Sequence, residues 1–345
     1  MKFSQPVSCY AAWSNDTTTR FESASGGVAA ELYRYAIKSG FLSVGVCWSR
    51  EQGAFFIPVT TSHDIEKVRN SKYVFSNTNG IYCLLKNELE MGKRVLFIGL
   101  PCQVAGLYGY LKKDYEQLTT VDIICHGVAP SSYLDQHLAA IERKKRRKAE
   151  AISFRTPKYY TYTFTFTFTD KNNIEFYKNS VKSVDNYQLG YHHSLIYREN
   201  CYQCKYARGE RLADMTIGDF SGLGRYADCN YDRHNVSCIL INTQKGAAIV
   251  ESLNDVVTLD PRPLDEALKV EKQLQQPSVP HYHRDKFVSI YRVTHSFQKA
   301  ADASLKKDKV KVYNVKIVET VKSVISIFVP NGVKERLRKF FKNGR

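Results

Sequence analysis

Apolar positions along the chain change period several times, and each change marks an element. In SASGGVAAELYRYAIKSG (23–40), Val28, Leu32, Tyr35 and Ala36 recur at helical spacing, so the segment reads as a helix with a serine- and glycine-rich entrance. Ser25 is placed to cap it, while Gly26 and Gly27 permit close backbone approach. FLSVGVCW and AFFIPVT follow as a strand pair, and HDIEKVRNSKYVFS as a short polar helix running into Ser71, Lys72 and Tyr73. In KRVLFIGLPCQVAGLYGYLKK, the unbroken apolar VLFIG predicts a buried strand and 103–111 the helix after it, with Pro101 suited to the helix start. TTVDIICHGVAP repeats this outline, with VDIIC as strand and His126-Gly127 opening the turn.

Beyond a basic run at Arg143–Lys148 the organisation shifts to period two. TYTFTFTFTD alternates Tyr162, Phe164, Phe166 and Phe168 with threonines, which predicts a half-buried strand, and IEFYKN is its hairpin partner. Residues 186–200 read as helical or irregular, VSCILINT as a late strand and QKGAAIVESL as a late helix. The fold class expected is α/β to α+β: a mixed β-sheet core with flanking helices and an added antiparallel hairpin region. Three stretches divide it, namely 1–148, 149–260 with the hairpin and a CxxC pair, and a polar, basic extension over 261–345.

The 345 residues suffice for a substantial core without disulfide staples. Nine cysteines are too few for a disulfide scaffold, and MKFSQPVSCYAAWSND lacks the apolar core of a signal peptide, which points to a reducing, cytoplasmic setting. No apolar run approaches the roughly 20 residues that span a bilayer; the best are VLFIGL (95–100) and VISIFV (324–329). The net charge of +16 is patchy, concentrated in 143–148 and from Lys334 onward. Such runs are more often solvated faces than binding sites. VKERLRKFFKNGR forms an amphipathic pattern with Val333, Leu337, Phe340 and Phe341 on one side, suited to capping the core or to peripheral contact with anionic lipid. No zinc finger or aromatic RNA-binding motif is present, so no specific nucleic-acid partner is expected.

The chemistry gathers at four cysteines. Cys102 in GLPCQ and Cys125 in ICHG follow predicted strands, where α/β folds collect their chemistry, and Cys201 and Cys204 form CYQCKYA. Two cysteines separated by two residues can turn both sulfurs toward one ion or cluster. The helix start near Cys102 favours its thiolate. Four thiolates suit structural zinc as well as iron–sulfur, so spacing leaves a non-redox zinc protein, or a transferase without cofactors, as alternatives. The helix entrance at Ser25, Gly26 and Gly27 has the amides that favour phosphate, Lys72 is a candidate phosphate neutraliser as well as an ordinary exposed lysine, and His126 is a candidate proton donor.

SASGGV, SKYVFS, VLFIGLPCQVAGL, VDIICHGV, SFR at 153–155 and CYQCKYARGERLADMTIGDF occur in the order seen in the beta-subunit family of coenzyme F420 (deazaflavin) hydrogenases and dehydrogenases, which the chain resembles over about residues 9–225. The resemblance implies an oxidoreductase carrying FAD and a 4Fe-4S cluster. It implies flavin-phosphate binding by Ser25, Gly26 and Gly27, a place near the flavin for Lys72 and Tyr73, and cluster ligation by Cys102, Cys125, Cys201 and Cys204. Asp219 in IGDF is expected to support the site. Members of the family also accompany surface-polysaccharide functions in bacteria, so a glycan-linked or other small-molecule substrate is an expectation. The chain has no C-x2-C-x2-C-x3-C run of the ferredoxin-like module many relatives carry, so electrons are expected from an external donor protein or a reduced cofactor. The family's GTPC reads Gly99-Leu100-Pro101-Cys102 here, and the aromatic that often follows GDF is Ser221, so acceptor contacts are expected to differ.

Overall fold

A computed structural model describes residues 2–181 and 183–315. The C-terminal amphipathic pattern and VISIFV lie outside the described residues. Eight strands form the main sheet: β1 (Ser8–Ser14), β2 (Leu42–Ser49), β3 (Gly53–Val59), β4 (Val95–Gly99), β5 (Leu118–Ile123), β9 (Met215–Asp219), β10 (Ser237–Ile241) and β11 (Val257–Arg262). Three shorter strands, β6 (Ala151–Ser153), β7 (Phe166–Thr169) and β8 (Glu175–Asn179), form a separate antiparallel sheet. The mixed sheet with an added hairpin region is as the sequence predicts.

The main sheet runs in the order β11-β1-β10-β9-β5-β4-β2-β3. Its centre is parallel: β2 pairs with β4, β4 with β5 and β5 with β9 in parallel, while the outer pairs are antiparallel. A parallel centre must be covered on both faces, and every residue of VLFIG in β4 is accordingly buried. The carboxyl ends of β4, β5 and β9 therefore lie side by side. Leu100-Pro101-Cys102, the Cys125 turn and Asp219 leave the sheet at this edge.

The aromatic alternation after the basic run is only partly a strand. β7 covers Phe166–Thr169, while Pro157–Tyr159 and Thr161–Thr163 are 3-10 turns and Phe164 has φ +52. The backbone is diverted because Arg155 Nε donates to the Thr161 carbonyl at 2.9 Å and the Arg155 guanidinium lies 4.2 Å over the Phe164 ring. Phe166 and Phe168 do become core: with Phe154, Tyr187, Phe287 and Phe297 they fill an aromatic cluster shared by the hairpin sheet and the helices Arg284–Thr294 and Phe297–Ser304. The polar extension after residue 260 thus contributes core residues.

Buried polar contacts fasten that extension. Asp308 accepts from the Tyr282 hydroxyl at 3.0 Å and faces His281 Nε2 at 3.3 Å and His193 Nδ1 at 3.6 Å. Among the described residues this trio is the one His/Cys/Asp/Glu group with its ligand atoms all within 4.8 Å. It is a polar clasp rather than a metal seat: His281 Nδ1 accepts the His283 backbone N–H at 3.2 Å, which leaves the imidazole proton on Nε2, facing Asp308. The Arg143–Lys148 run is exposed at the end of the helix Ser131–Lys145, where cations complement the helix dipole. Among the described residues no helix is long and apolar enough to cross a membrane.

Candidate functional site

The carboxyl edge of the parallel strands opens into a cavity of about 750 Å³. Its volume is within the range of small-molecule and cofactor sites. At one end stands the helix Val28–Lys38, and here the structure corrects the expected cap. Gly27, at φ +86, occupies the N-cap position and no side chain caps the helix. The Ser25 hydroxyl instead donates to the Val236 carbonyl at 2.9 Å, and Ser237 Oγ accepts the Gly26 N–H at 2.9 Å, tying the turn to β10. Val28 and Ala29 line the cavity at the uncapped start of the helix. Two buried oxygens on the same wall, Ser23 Oγ and Asn70 Oδ1, have no hydrogen-bond partner among the described residues.

Gly26 is required by close approach. A Cβ there would stand 2.2 Å from the Ala12 carbonyl oxygen and 2.9 Å from the Ser237 nitrogen. Gly26→Ala must push β1 and β10 apart, with an expected cost of about 3 kcal/mol. A thermal melt should show a Tm lowered by several degrees, and an unchanged Tm would refute the packing argument.

Lys72 is not the solvent-exposed lysine that local sequence favours. Its Nζ is enclosed at the end of the helix Ser62–Val68, within 2.8–3.2 Å of the carbonyls of Lys67, Val68, Arg69 and Asn70. Burial pulls its pKa down to about 7, against the opposing pull of Cys47. Four carbonyls around three N–H groups leave no free donor for a phosphate, so its evident work is to close the helix terminus.

Tyr73 forms the aromatic wall. Its ring stacks on Tyr191 at 4.5 Å and lies 6.5 Å from Phe164, and its phenol is pushed up by burial. Local sequence reasoning missed Tyr191 and His192, which lie at the end of the helix Asn186–His192, in a stretch that reads as helical or irregular and carries no motif. Arg155, which the sequence marks only as part of SFR, pairs with Asp219 at 2.6 Å on this wall. Glu271 also faces the cavity, from the extension that carried no motif; it accepts from Ser221 Oγ at 2.6 Å and lies 4.0 Å from His126 Nε2. His126 is half exposed at the cavity rim.

The four cysteines converge. Cys102 is the second residue of the helix Pro101–Leu111, begun by Pro101 as predicted and fixed by Gln103 Oε1, which accepts the Leu100 N–H at 3.0 Å. Cys125 lies just past β5 and lines the cavity. Cys201 sits in the 3-10 turn Glu199–Gln203, and Cys204 follows it. The Arg198 N–H donates to the Val128 carbonyl at 2.9 Å, binding the CxxC loop to the Cys125 turn.

The expected stabilisation of the Cys102 thiolate is reversed. Burial raises its pKa to about 11, and the neighbouring Cys204 and Cys201 add to the rise. One face of Cys102 stays open to solvent although its surroundings are crowded. Cys125 is pushed up by burial and then by Cys102, Cys201 and Cys204; Cys201 is raised by burial and by Cys204. Cys125 thus senses the other three thiols, Cys102 senses Cys204 and Cys201, and Cys201 senses Cys204. A bound metal ion inverts that logic and deprotonates the thiols. Backbone N–H groups of Gly127 and Val128 point at the thiols of Cys125 and Cys201.

Comparison with known proteins agrees with this architecture. A chain in the structure titled "Xenon derivatization of the F420-reducing [NiFe] hydrogenase complex from Methanosarcina barkeri" matches with a TM-score of 0.52 and 19% identity, over 79% of this chain and 89% of that one. At that identity the likeness is one of fold. No curated protein matches. Two family models of the coenzyme F420 hydrogenase/dehydrogenase beta subunit match: the model of its N-terminal part over residues 9–81, and the model of its C terminus over residues 92–267. Every element that builds the cavity up to Ala267 lies within or between these matches, and the chain belongs to the coenzyme F420 hydrogenase/dehydrogenase beta-subunit family.

Proposed function

We propose that this protein is an oxidoreductase in which Cys102, Cys125, Cys201 and Cys204 hold a 4Fe-4S cluster beside a cavity that binds FAD. The observation that carries the reading is the position of Cys125, at once one of four converging thiols and part of the cavity wall. When bound, the cluster and the flavin supply exchange between one-electron and two-electron chemistry.

The cysteine geometry favours a cluster over zinc. Tetrahedral zinc, with Zn–S near 2.3 Å, gathers its sulfurs to about 3.8 Å from one another. No three of these four sulfurs lie mutually within 4.8 Å. A four-iron cluster interposes iron and sulfide between its thiolates and needs the wider spacing. The N–H groups of Gly127 and Val128 would stabilise ligating sulfurs by hydrogen bonding.

The flavin reading has its own support. The uncapped start of Val28–Lys38 offers amides and positive helix potential to a diphosphate, with Ser23 Oγ as a further donor. Tyr73, Tyr191 and Phe164 form an apolar wall that would cover a planar ring and exclude water, and the Arg155–Asp219 pair braces Phe164. Electrons would come from an external donor, and the substrate, small or glycan-linked, would enter at the His126 rim.

The test is the visible spectrum of anaerobically purified protein, with iron, zinc and flavin analysis. Flavin and broad iron–sulfur absorption with about four irons per chain are expected. Colourless protein with stoichiometric zinc and no FAD would overturn the proposal.

A further inference from the structure

His192 is a cavity residue whose protonation pattern can be read from its neighbours. Its Nε2 lies 3.1 Å from Gln188 Oε1, while Gln188 Nε2 lies 3.0 Å from the Phe164 carbonyl oxygen. A carbonyl only accepts, so the Gln188 atom facing it is the amide nitrogen and the atom facing His192 is the amide oxygen. That oxygen must receive a proton, which places the imidazole hydrogen on Nε2 and leaves Nδ1 a bare acceptor. Gln188 is buried, and its backbone N–H is held by Asp185 Oδ1 at 2.7 Å, so the relay is fixed by the fold.

The surroundings keep the ring neutral and its edge available. Tyr73, Phe164 and Tyr191 meet it edge-on at 5.8, 5.3 and 5.5 Å between centroids. Burial pulls its pKa down to about 4, and His126, His193 and Arg155 act in the same direction. Among the described residues Nδ1 has no hydrogen-bond partner, and His192 lines the cavity. A lone acceptor in an aromatic wall favours a ligand that brings one N–H donor to it and penalises one that cannot.

We propose that His192 is a specificity residue whose Nδ1 accepts the imide N3–H of the flavin ring, the single ring N–H of an oxidised isoalloxazine. The inference rests on the flavin reading of the cavity and adds to it the orientation of the ring, pyrimidine edge toward His192.

The experiment titrates the full-length apoprotein with FAD and with N3-methyl-FAD, following flavin fluorescence. Wild type should bind the methylated ligand about tenfold more weakly, the effect of one neutral hydrogen bond. His192→Phe, which keeps the ring but removes the acceptor, should bind FAD about tenfold more weakly than wild type and show no preference between the two ligands. His192→Asn, with an acceptor retained, should recover part of the preference. Equal affinity of wild type for both ligands would overturn the proposal without any variant. An undiminished preference in His192→Phe would overturn it as well. If wild type binds neither ligand, the flavin reading fails first and this inference with it, whereas tight FAD binding without preference sinks the inference alone.

Discussion

A chain carrying Cys201→Ala and Cys204→Ala is expected to fold, to lose the iron–sulfur absorption and to drop from about four irons per chain to near none. Cys201 sits in the 3-10 turn Glu199–Gln203 and Cys204 directly after it, and both are half-buried, so their removal costs little packing. The remaining thiols, Cys102 and Cys125, can bridge only part of a cluster. The cavity proposed to bind flavin is lined by Cys125 and by neither of the replaced residues, so FAD should remain bound. Cys83→Ala is the control, because Cys83 is exposed on the helix Ile81–Glu90 and is not among the converging thiols; its iron content should equal wild type. Full iron in the double variant would refute the ligand assignment. Loss of iron together with the folded far-ultraviolet signal would assign the pair a structural role instead.

The parts of this site legible in sequence are those where one local pattern serves both fold and chemistry. VLFIG and VDIIC announce buried strands, so local pattern alone puts Cys102 and Cys125 at strand ends. Elsewhere a tertiary contact overrides the local signal. The threonine–aromatic alternation continues through Phe164, yet Arg155 diverts the backbone there and turns Phe164 into cavity wall. Ser25 carries the usual cap chemistry, but β10 takes its hydroxyl and Gly27 becomes the cap. Lys72 reads as a surface cation because nothing in SKY reveals the four carbonyls closing around it. His192 and Glu271 have no motif. Their places at the cavity are set by Gln188, which bonds Phe164, and by Ser221, and only the assembled fold brings those together.

Arg211→Met is expected to destabilise the protein by about 3–5 kcal/mol at neutral pH, the usual consequence of removing one member of a buried ion pair. Arg211 and Asp122 each have side chains 2% exposed, and Arg211 Nη2 lies 2.8 Å from Asp122 Oδ2. The guanidinium also donates through Nε to Thr216 Oγ1 at 3.2 Å, and through Nη1 to the carbonyls of Tyr206 and Arg208 at 3.2 Å each. It thereby joins β5, which leads to Cys125, and β9 to the loop leaving Cys204. Without it, Asp122 is a buried carboxylate with no compensating cation, and the loop loses two anchors. The pH dependence identifies the cause. Burial already raises the Asp122 pKa, with Arg211 opposing the rise, so the variant's pKa must climb further. A carboxyl whose folded pKa exceeds its unfolded value gains folding stability as pH falls through that folded pKa, because the folded state then holds the proton more tightly. The deficit of Arg211→Met relative to wild type should therefore shrink as pH falls from 7 toward the carboxylate range. Urea denaturation at several pH values measures this, and Asp122→Leu added to Arg211→Met should recover much of the loss at neutral pH, since an apolar replacement of both partners leaves no buried charge. A deficit independent of pH that the second substitution fails to relieve would mean that the loop anchors, not the ion pair, dominate. In either case the double variant should still incorporate less iron than wild type, because the contacts of Nη1 with the loop after Cys204 are missing.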